Sequence, residues 1–128
     1  MRKYLLIFFV LVLTACDGIP ARKDPNPLHL PPAGFVADSK KGEALYTQNC
    51  LSCHGFKGQG SNLGPPLVHK TYNPQHHADL AFHLAVKSGV RAHHWRFGDM
   101  KPLPEVSPES VGHIVSYLRA EQRKVGIN

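Results

Sequence analysis

Near the end of the chain, apolar residues recur at helical spacing. Four of them occupy positions i, i+3, i+4 and i+7: Val111, Ile114, Val115 and Leu118. This spacing predicts a helix that buries one face. Ser107 followed by Pro108 is typical of an N-cap and the first helical residue. Three cations near the predicted end are expected to be solvated beside the negative pole of the helix dipole: Arg119, Arg123 and Lys124.

A second helix is predicted for residues 39–50. Asp38 or Ser39 is suited to its N-cap, because a short polar side chain there accepts hydrogen bonds from the first free backbone N–H groups. Gly42 and Tyr46 lie four positions apart and therefore share a face. A glycine inside a helix costs about 1 kcal/mol relative to alanine, so its presence favours close approach by another helix.

The segment 77–89 is predicted to be a third helix. Leu80, Leu84 and Ala85 repeat at helical spacing, and Gly89 is a typical C-terminal stop. The chain has no alternating apolar pattern of useful length, so no sheet is predicted. The predicted fold class is all-α, with about three main helices and long loops at 55–77 and 89–106.

These helices leave a domain with much loop and little core. The apolar content of 42% is ordinary for one globular domain, which we place at residues 38–128. Domains of this size gain only marginal stability from burial alone. A large apolar ligand at the centre is therefore expected.

Residues 4–13 form an apolar run that follows Arg2 and Lys3. A bilayer span needs about 20 apolar residues, so this run is too short to cross a membrane, and it fits the core of a secretory signal at residues 1–15. A short membrane anchor or a buried helix is the alternative interpretation. Export would place the protein in an oxidising compartment.

The stretch "LTAC", residues 13–16, resembles a bacterial lipoprotein signal. The resemblance implies cleavage before Cys16 and lipidation of that cysteine, on the periplasmic side of a bacterial membrane. Asp17 resembles the signal that retains some lipoproteins in the inner membrane, which is therefore favoured. Residues 16–37 are rich in proline and are predicted to be a tether that reaches on the order of 60 Å when extended. The alternative is that its second half, with Leu28 and Phe35, folds back over the domain.

The stretch "NCLSCHG" contains two cysteines and a histidine, Cys50, Cys53 and His54. Structural zinc needs four ligands, and the chain has no second cysteine pair, although its histidines offer donors. A redox dithiol is expected to open a helix among strands, whereas this pair follows a predicted helix. Covalent haem attachment needs this order, because two thiols add to the porphyrin vinyl groups and the next histidine ligates the iron.

A sixth ligand for such an iron is available in "RFGDMKPLP". Apart from Met1, Met100 is the one methionine of the chain, and it lies in a loop flanked by glycine and proline. Its thioether is a soft ligand that suits haem iron, and Met/His ligation raises the reduction potential. We therefore predict His54 and Met100 as the axial ligands.

These motifs resemble those of the class I, mitochondrial-like c-type cytochromes over residues 40–118. "CHGFKGQG" matches the attachment site, "GPPL" at 64–67 resembles the Gly-Pro-x-Leu segment, and "GDMKPLP" resembles the axial-methionine loop, with Lys101 inserted before its proline. The resemblance implies the cytochrome c fold around one covalent haem c. It also implies that the Pro65 carbonyl accepts the Nδ1 hydrogen of His54 and that Leu67 contacts the cofactor.

The stretch "RAHHWRFGDM" adds residues that the motifs do not account for. Trp95 is predicted to close the haem edge or to donate its indole N–H to a propionate, and Arg96 or Arg91 to pair with propionates. Two histidine pairs are candidates for copper binding or for gating by protonation, with loop hydrogen bonding as the plainer interpretation: His76, His77, His93 and His94.

The predicted function is electron transfer, because two strong axial ligands leave no open position for a substrate. The chain carries a net charge of +6, and five cations fall in the loops expected around the haem: Lys57, Lys70, Arg91, Arg96 and Lys101. They predict a rim that attracts an acidic redox partner, and no nucleic acid partner is expected. The alternatives are a sensor, a copper-handling protein or a catalytic haem protein with a labile sixth ligand. A subunit of an oxidase or dehydrogenase complex is a further possibility.

Overall fold

The structure is a computed structural model that describes residues 24–128. It contains four helices: α1 Ser39–Asn49, α2 Leu51–His54, α3 Asp79–Ser88 and α4 Pro108–Lys124. Short 3₁₀ turns lie at Phe56–Gly58 and Lys70–Tyr72. Residues 24–128 form no strand, and one antiparallel bridge joins Val90 to Met100. The all-α prediction is confirmed, and α1, α3 and α4 are the three predicted helices.

The helices begin and end at the residues that the sequence favours. The Asp38 carboxylate accepts from the backbone N–H groups of Lys40 and Lys41 at 2.8 and 3.1 Å, so Asp38 is the N-cap of α1. The Ser107 hydroxyl accepts from the Ser110 N–H at 3.2 Å ahead of α4. Gly89 ends α3 with φ +73°, a conformation that costs glycine nothing.

The close approach that Gly42 predicts is the crossing of α1 and α4. A Cβ atom at Gly42 would lie 2.0 Å from the backbone oxygen of His113 and 2.9 Å from the Tyr117 Cβ. The rings of Tyr46 and Tyr117 pack beside this crossing with centroids 5.4 Å apart. The Tyr46 hydroxyl donates to the Gly55 carbonyl at 2.7 Å, and so the crossing also holds the loop that follows α2.

The apolar stripe of α4 forms most of the core. Its buried members are the four predicted residues together with Tyr117. Tyr46, Val86 and Val106 complete the buried cluster from α1, α3 and the loop before α4. Five members of this cluster also line a space between α3 and α4, where the site described below lies: Val86, Val111, Ile114, Val115 and Leu118.

Arg119 is not the solvated cation that its position near the end of α4 predicts. Its side chain is buried, with 8% of its surface exposed. The guanidinium donates to the Asp79 carboxylate at 2.8 Å and to the carbonyls of Tyr72, at 2.6 Å, and His77. The prediction is therefore wrong for Arg119, because loop carbonyls and a carboxylate replace its hydration.

Replacing Arg119 with methionine, which keeps most of the side-chain volume, should lower the free energy of unfolding by about 3 kcal/mol. The reason is that the loop carbonyls of Tyr72 and His77 lose a charged donor. Denaturant unfolding measures the loss. The matched control is Arg123→Met, one turn further along and exposed, which should cost less than about 0.5 kcal/mol. Equal losses for the two variants would contradict the role assigned to Arg119.

Residues 24–37 fold back on the domain, as the alternative to a free tether anticipates. The His29 ring donates to the Val106 carbonyl at 2.9 Å, and the His83 ring donates to the His29 carbonyl at 2.6 Å. Phe35 packs on His113 with ring centroids 4.9 Å apart. Burial lowers the pKa of His83, so it serves as a neutral donor.

The predicted signal peptide, Cys16 and the first part of the predicted tether lie outside the described residues. Among the helices of residues 24–128, none has the length and apolar character needed to cross a membrane.

Candidate functional site

A cavity of about 790 Å³ lies between α3, α4 and the two long loops. Its size falls in the range of about 300–1,000 Å³ that is typical of small-molecule and cofactor sites. Apolar side chains form most of its wall, including Leu67, Phe82, Val111, Ile114 and Leu118. The cavity therefore provides space for the large apolar ligand that the shortage of core residues predicts.

The two cysteines of the CxxCH motif line this cavity at the end of α1. The Cys50 N–H donates to the Tyr46 carbonyl at 2.8 Å, and the His54 N–H donates to the Cys50 carbonyl at 2.8 Å. Through these two bonds α2 follows directly from the end of α1. Neither thiol is in a disulfide. Burial, and secondarily the nearby Cys53, raises the pKa of Cys50 to about 11. A buried thiol with a raised pKa forms less of the thiolate that attacks in dithiol exchange.

His54 is held in one tautomer by the loop that contains "GPPL". Its Nδ1–H donates to the Pro65 carbonyl at 2.9 Å, so the lone pair of the ring lies on Nε2. Burial lowers the pKa of His54, and the bond to Pro65 partly opposes this shift. A Cβ atom at Gly64 would lie 2.9 Å from the Cys53 carbonyl oxygen, so a glycine there lets the loop approach the motif. The ring is therefore a neutral, oriented donor to a metal.

Met100 lines the same cavity from the loop between α3 and α4. Its backbone N–H donates to the Val90 carbonyl at 2.9 Å, and its carbonyl accepts from the Val90 N–H at 3.0 Å. The Leu103 N–H donates to the Val86 carbonyl at 2.8 Å, which ties the same loop to α3. A Cβ atom at Gly89 would lie 2.4 Å from the Met100 carbonyl oxygen. The backbone thus fixes the position of Met100.

Of the residues predicted to contact a propionate, only Trp95 lines the cavity. Its indole N–H donates to the Tyr72 hydroxyl at 3.2 Å, so Trp95 contributes its ring to the wall while its N–H has a protein acceptor. Arg96 and Arg91 are exposed and are not among the lining residues. The role of Arg96 stays a prediction, whereas Lys101 does border the cavity.

The sequence missed several contributors to the wall. Tyr72 comes from a 3₁₀ turn in a loop and carries no periodic signal, while Phe82 lies in a predicted helix whose orientation the pattern does not determine. The guanidinium of Arg119 lies over the Phe82 ring, 5.0 Å from its centroid. Arg119 therefore supports the wall from behind.

A family model described as Cytochrome c matches residues 39–121. The chain belongs to the cytochrome c family. Its members bind haem c covalently and use it for electron transfer. The cytochrome fits that group, because one mostly apolar cavity contains two thiols and an imidazole with a free Nε2. The predicted fold and cofactor are confirmed.

The fold is similar to that of a solved structure, the c-type cytochrome XoxG from Methylobacterium extorquens AM1. The TM-score is 0.53 at 21% identity, over 66% of this cytochrome. The match spans 50% of that chain, so the cytochrome corresponds to about half of its length. The similarity supports the fold.

Proposed function

We propose that this cytochrome is a monohaem electron carrier in which His54 and Met100 ligate the iron. The observation that carries the proposal is the single cavity lined by Cys50, Cys53, His54 and Met100. When bound, the haem supplies a one-electron Fe(III)/Fe(II) couple. The two thiols would hold it covalently, and Nε2 of His54 and the sulfur of Met100 would hold the iron.

The protein around these ligands supports a carrier rather than a catalyst. The Pro65 carbonyl keeps His54 in the tautomer that binds metal, and the Val90 bridge keeps the Met100 loop in place. A fixed sixth ligand leaves no position for oxygen or peroxide. The mostly apolar wall would shield a bound haem from water, and burial together with a methionine ligand would raise its reduction potential.

Carbon monoxide binding to the reduced, haem-loaded cytochrome tests this proposal. Because Met100 occupies the sixth position in a carrier, the absorption spectrum should stay unchanged under carbon monoxide. A rapid spectral shift at neutral pH would contradict the carrier proposal and favour a sensor or catalytic protein with a labile ligand.

We further propose that the cytochrome is attached through a lipid on Cys16 to the periplasmic face of a bacterial membrane, with the inner membrane favoured. Because residues 24–37 pack on the domain, only residues 17–23 are left to separate anchor and domain, a span of at most about 25 Å. A short span favours electron exchange with partners at the same membrane. Mass spectrometry of the membrane-extracted protein, with Cys16→Ser as control, tests the anchor.

The redox partner is proposed to present an acidic surface, either as a free protein or within an oxidase or dehydrogenase complex. The five cations of the predicted rim form no ion pair with any residue of the described part, and four of them are exposed: Lys70, Arg91, Arg96 and Lys101. Unpaired surface cations attract a negative partner over roughly the Debye length, about 10 Å at 0.1 M salt.

The rate constant of electron transfer to an acidic redox protein should therefore fall at least about tenfold between low and high salt. Stopped-flow measurements over an ionic-strength series provide the rate constants. The double substitution Arg91→Gln with Arg96→Gln should flatten the dependence. A rate constant that does not change with salt would contradict the proposed docking surface.

A further inference from the structure

Four histidines from two separate loops converge at the rim of the cavity. His76 and His77 precede α3, and His93 and His94 lie between α3 and Met100. The rings of His76 and His94 are 5.3 Å apart between centroids, and those of His77 and His94 are 5.2 Å apart. His77, His93 and His94 line the cavity, so the cluster lies at its border.

Three of these four rings bring donor atoms together. His76, His77 and His94 each offer a nitrogen, and these nitrogens all lie within 4.8 Å of one another. A metal–imidazole bond of about 2.0–2.1 Å places neighbouring ligand nitrogens about 2.9 Å apart in the tetragonal geometry that Cu²⁺ prefers and about 3.4 Å apart in a tetrahedral site, so a rotation of the rings brings them to ligand spacing. His76 and His94 are exposed, which leaves them free to make this adjustment.

Hydrogen bonds hold His76 and His77 in an arrangement that suits metal binding. The Nδ1–H of His77 donates to the Thr71 carbonyl at 2.8 Å, which leaves the lone pair on Nε2. The backbone N–H of His76 donates to the Asn73 side chain at 2.9 Å and fixes the turn that presents both residues. The loop hydrogen bonding expected for these histidines and metal binding are thus compatible.

We propose that His76, His77 and His94 form a binding site for one divalent transition-metal ion, with Cu²⁺ as the ion it binds most tightly. Imidazole nitrogen suits Cu²⁺, Zn²⁺ and Ni²⁺, and affinity within this series is highest for Cu²⁺. The three-residue site contains no carboxylate, the ligand that Mg²⁺ and Ca²⁺ prefer. His93 is excluded from the ligand set, because its nitrogens are not among those that converge.

Titration of Cu²⁺ into the oxidised, haem-loaded cytochrome tests the site. Calorimetry should give one ion per protein, and electron paramagnetic resonance should show coupling to imidazole nitrogens. His76→Ala and His94→Ala should each weaken binding at least about tenfold, the lower limit for losing even an outer-shell partner of a metal site. The haem absorption spectrum of each variant establishes that it is folded and loaded, independently of copper.

His93→Ala is the matched control, since it removes an exposed histidine next to the site and leaves the three proposed ligands. Its copper affinity should equal that of the unsubstituted protein. The absence of stoichiometric binding, or binding that survives both His76→Ala and His94→Ala, would overturn the proposal. A loss with His93→Ala as large as that with His94→Ala would overturn the assigned ligand set.

Discussion

Replacing Met100 with alanine is expected to lower the reduction potential of the haem-loaded cytochrome by more than about 100 mV, within the range of about 0.8 V that axial ligands control. The physical reason is that a thioether stabilises Fe(II) relative to Fe(III), and its loss admits water or hydroxide. The reduced variant should also bind carbon monoxide. Spectroelectrochemical titration gives the potential, and the absorption spectrum under carbon monoxide reports the open position.

Lys101→Ala is the matched control for Met100→Ala. It changes the neighbouring residue of the same loop and leaves the backbone bridge between Val90 and Met100. Its potential should stay close to that of the unsubstituted protein, and carbon monoxide should leave its spectrum unchanged. If Met100→Ala behaved like Lys101→Ala, another residue would have to be the sixth ligand.

Gly42→Ala is expected to lower the free energy of unfolding by about 3 kcal/mol or more. The added Cβ atom would meet the His113 carbonyl oxygen at 2.0 Å, and this backbone atom lies inside α4 and has no room to move. The helices must separate, which also disturbs the packing of Tyr46 on Tyr117. Urea unfolding followed by far-ultraviolet circular dichroism measures the change.

The chain offers a second helical glycine as a control. A Cβ atom at Gly112 would lie 2.6 Å from an edge carbon of the Phe35 ring, which a rotation of that side chain relieves. Alanine also gains about 1 kcal/mol over glycine in helix propensity, so Gly112→Ala should stay within about 1 kcal/mol of the unsubstituted protein. Equal destabilisation of the two variants would contradict a helix crossing that depends on Gly42.

The local elements were predictable because their signals are local. Asp38 and Ser107 cap the helices that they precede, and Gly89 ends α3, as side-chain chemistry alone indicates. The CxxCH motif and Met100 predict the cofactor because thiols, imidazole and thioether at this spacing have few other uses. The cavity that brings them together agrees with the shortage of core residues.

The remaining features depend on contacts between distant parts of the chain. Arg119 looks like a helix-end cation until the loop of Tyr72 and His77 supplies its acceptors. The return of residues 24–37 depends on His83 and His113, which lie far along the sequence. No pattern in the sequence indicates that His94 lies beside His76 and His77, because their proximity depends on how two irregular loops pack against each other.

The absorption spectrum of the purified cytochrome in both redox states tests the central claim most directly. Ligation by His54 and Met100 predicts a sharp α-band of low-spin haem c in the reduced protein and a weak long-wavelength band of iron–methionine ligation in the oxidised protein. A high-spin spectrum, or an oxidised spectrum without the methionine band, would contradict the proposed electron carrier.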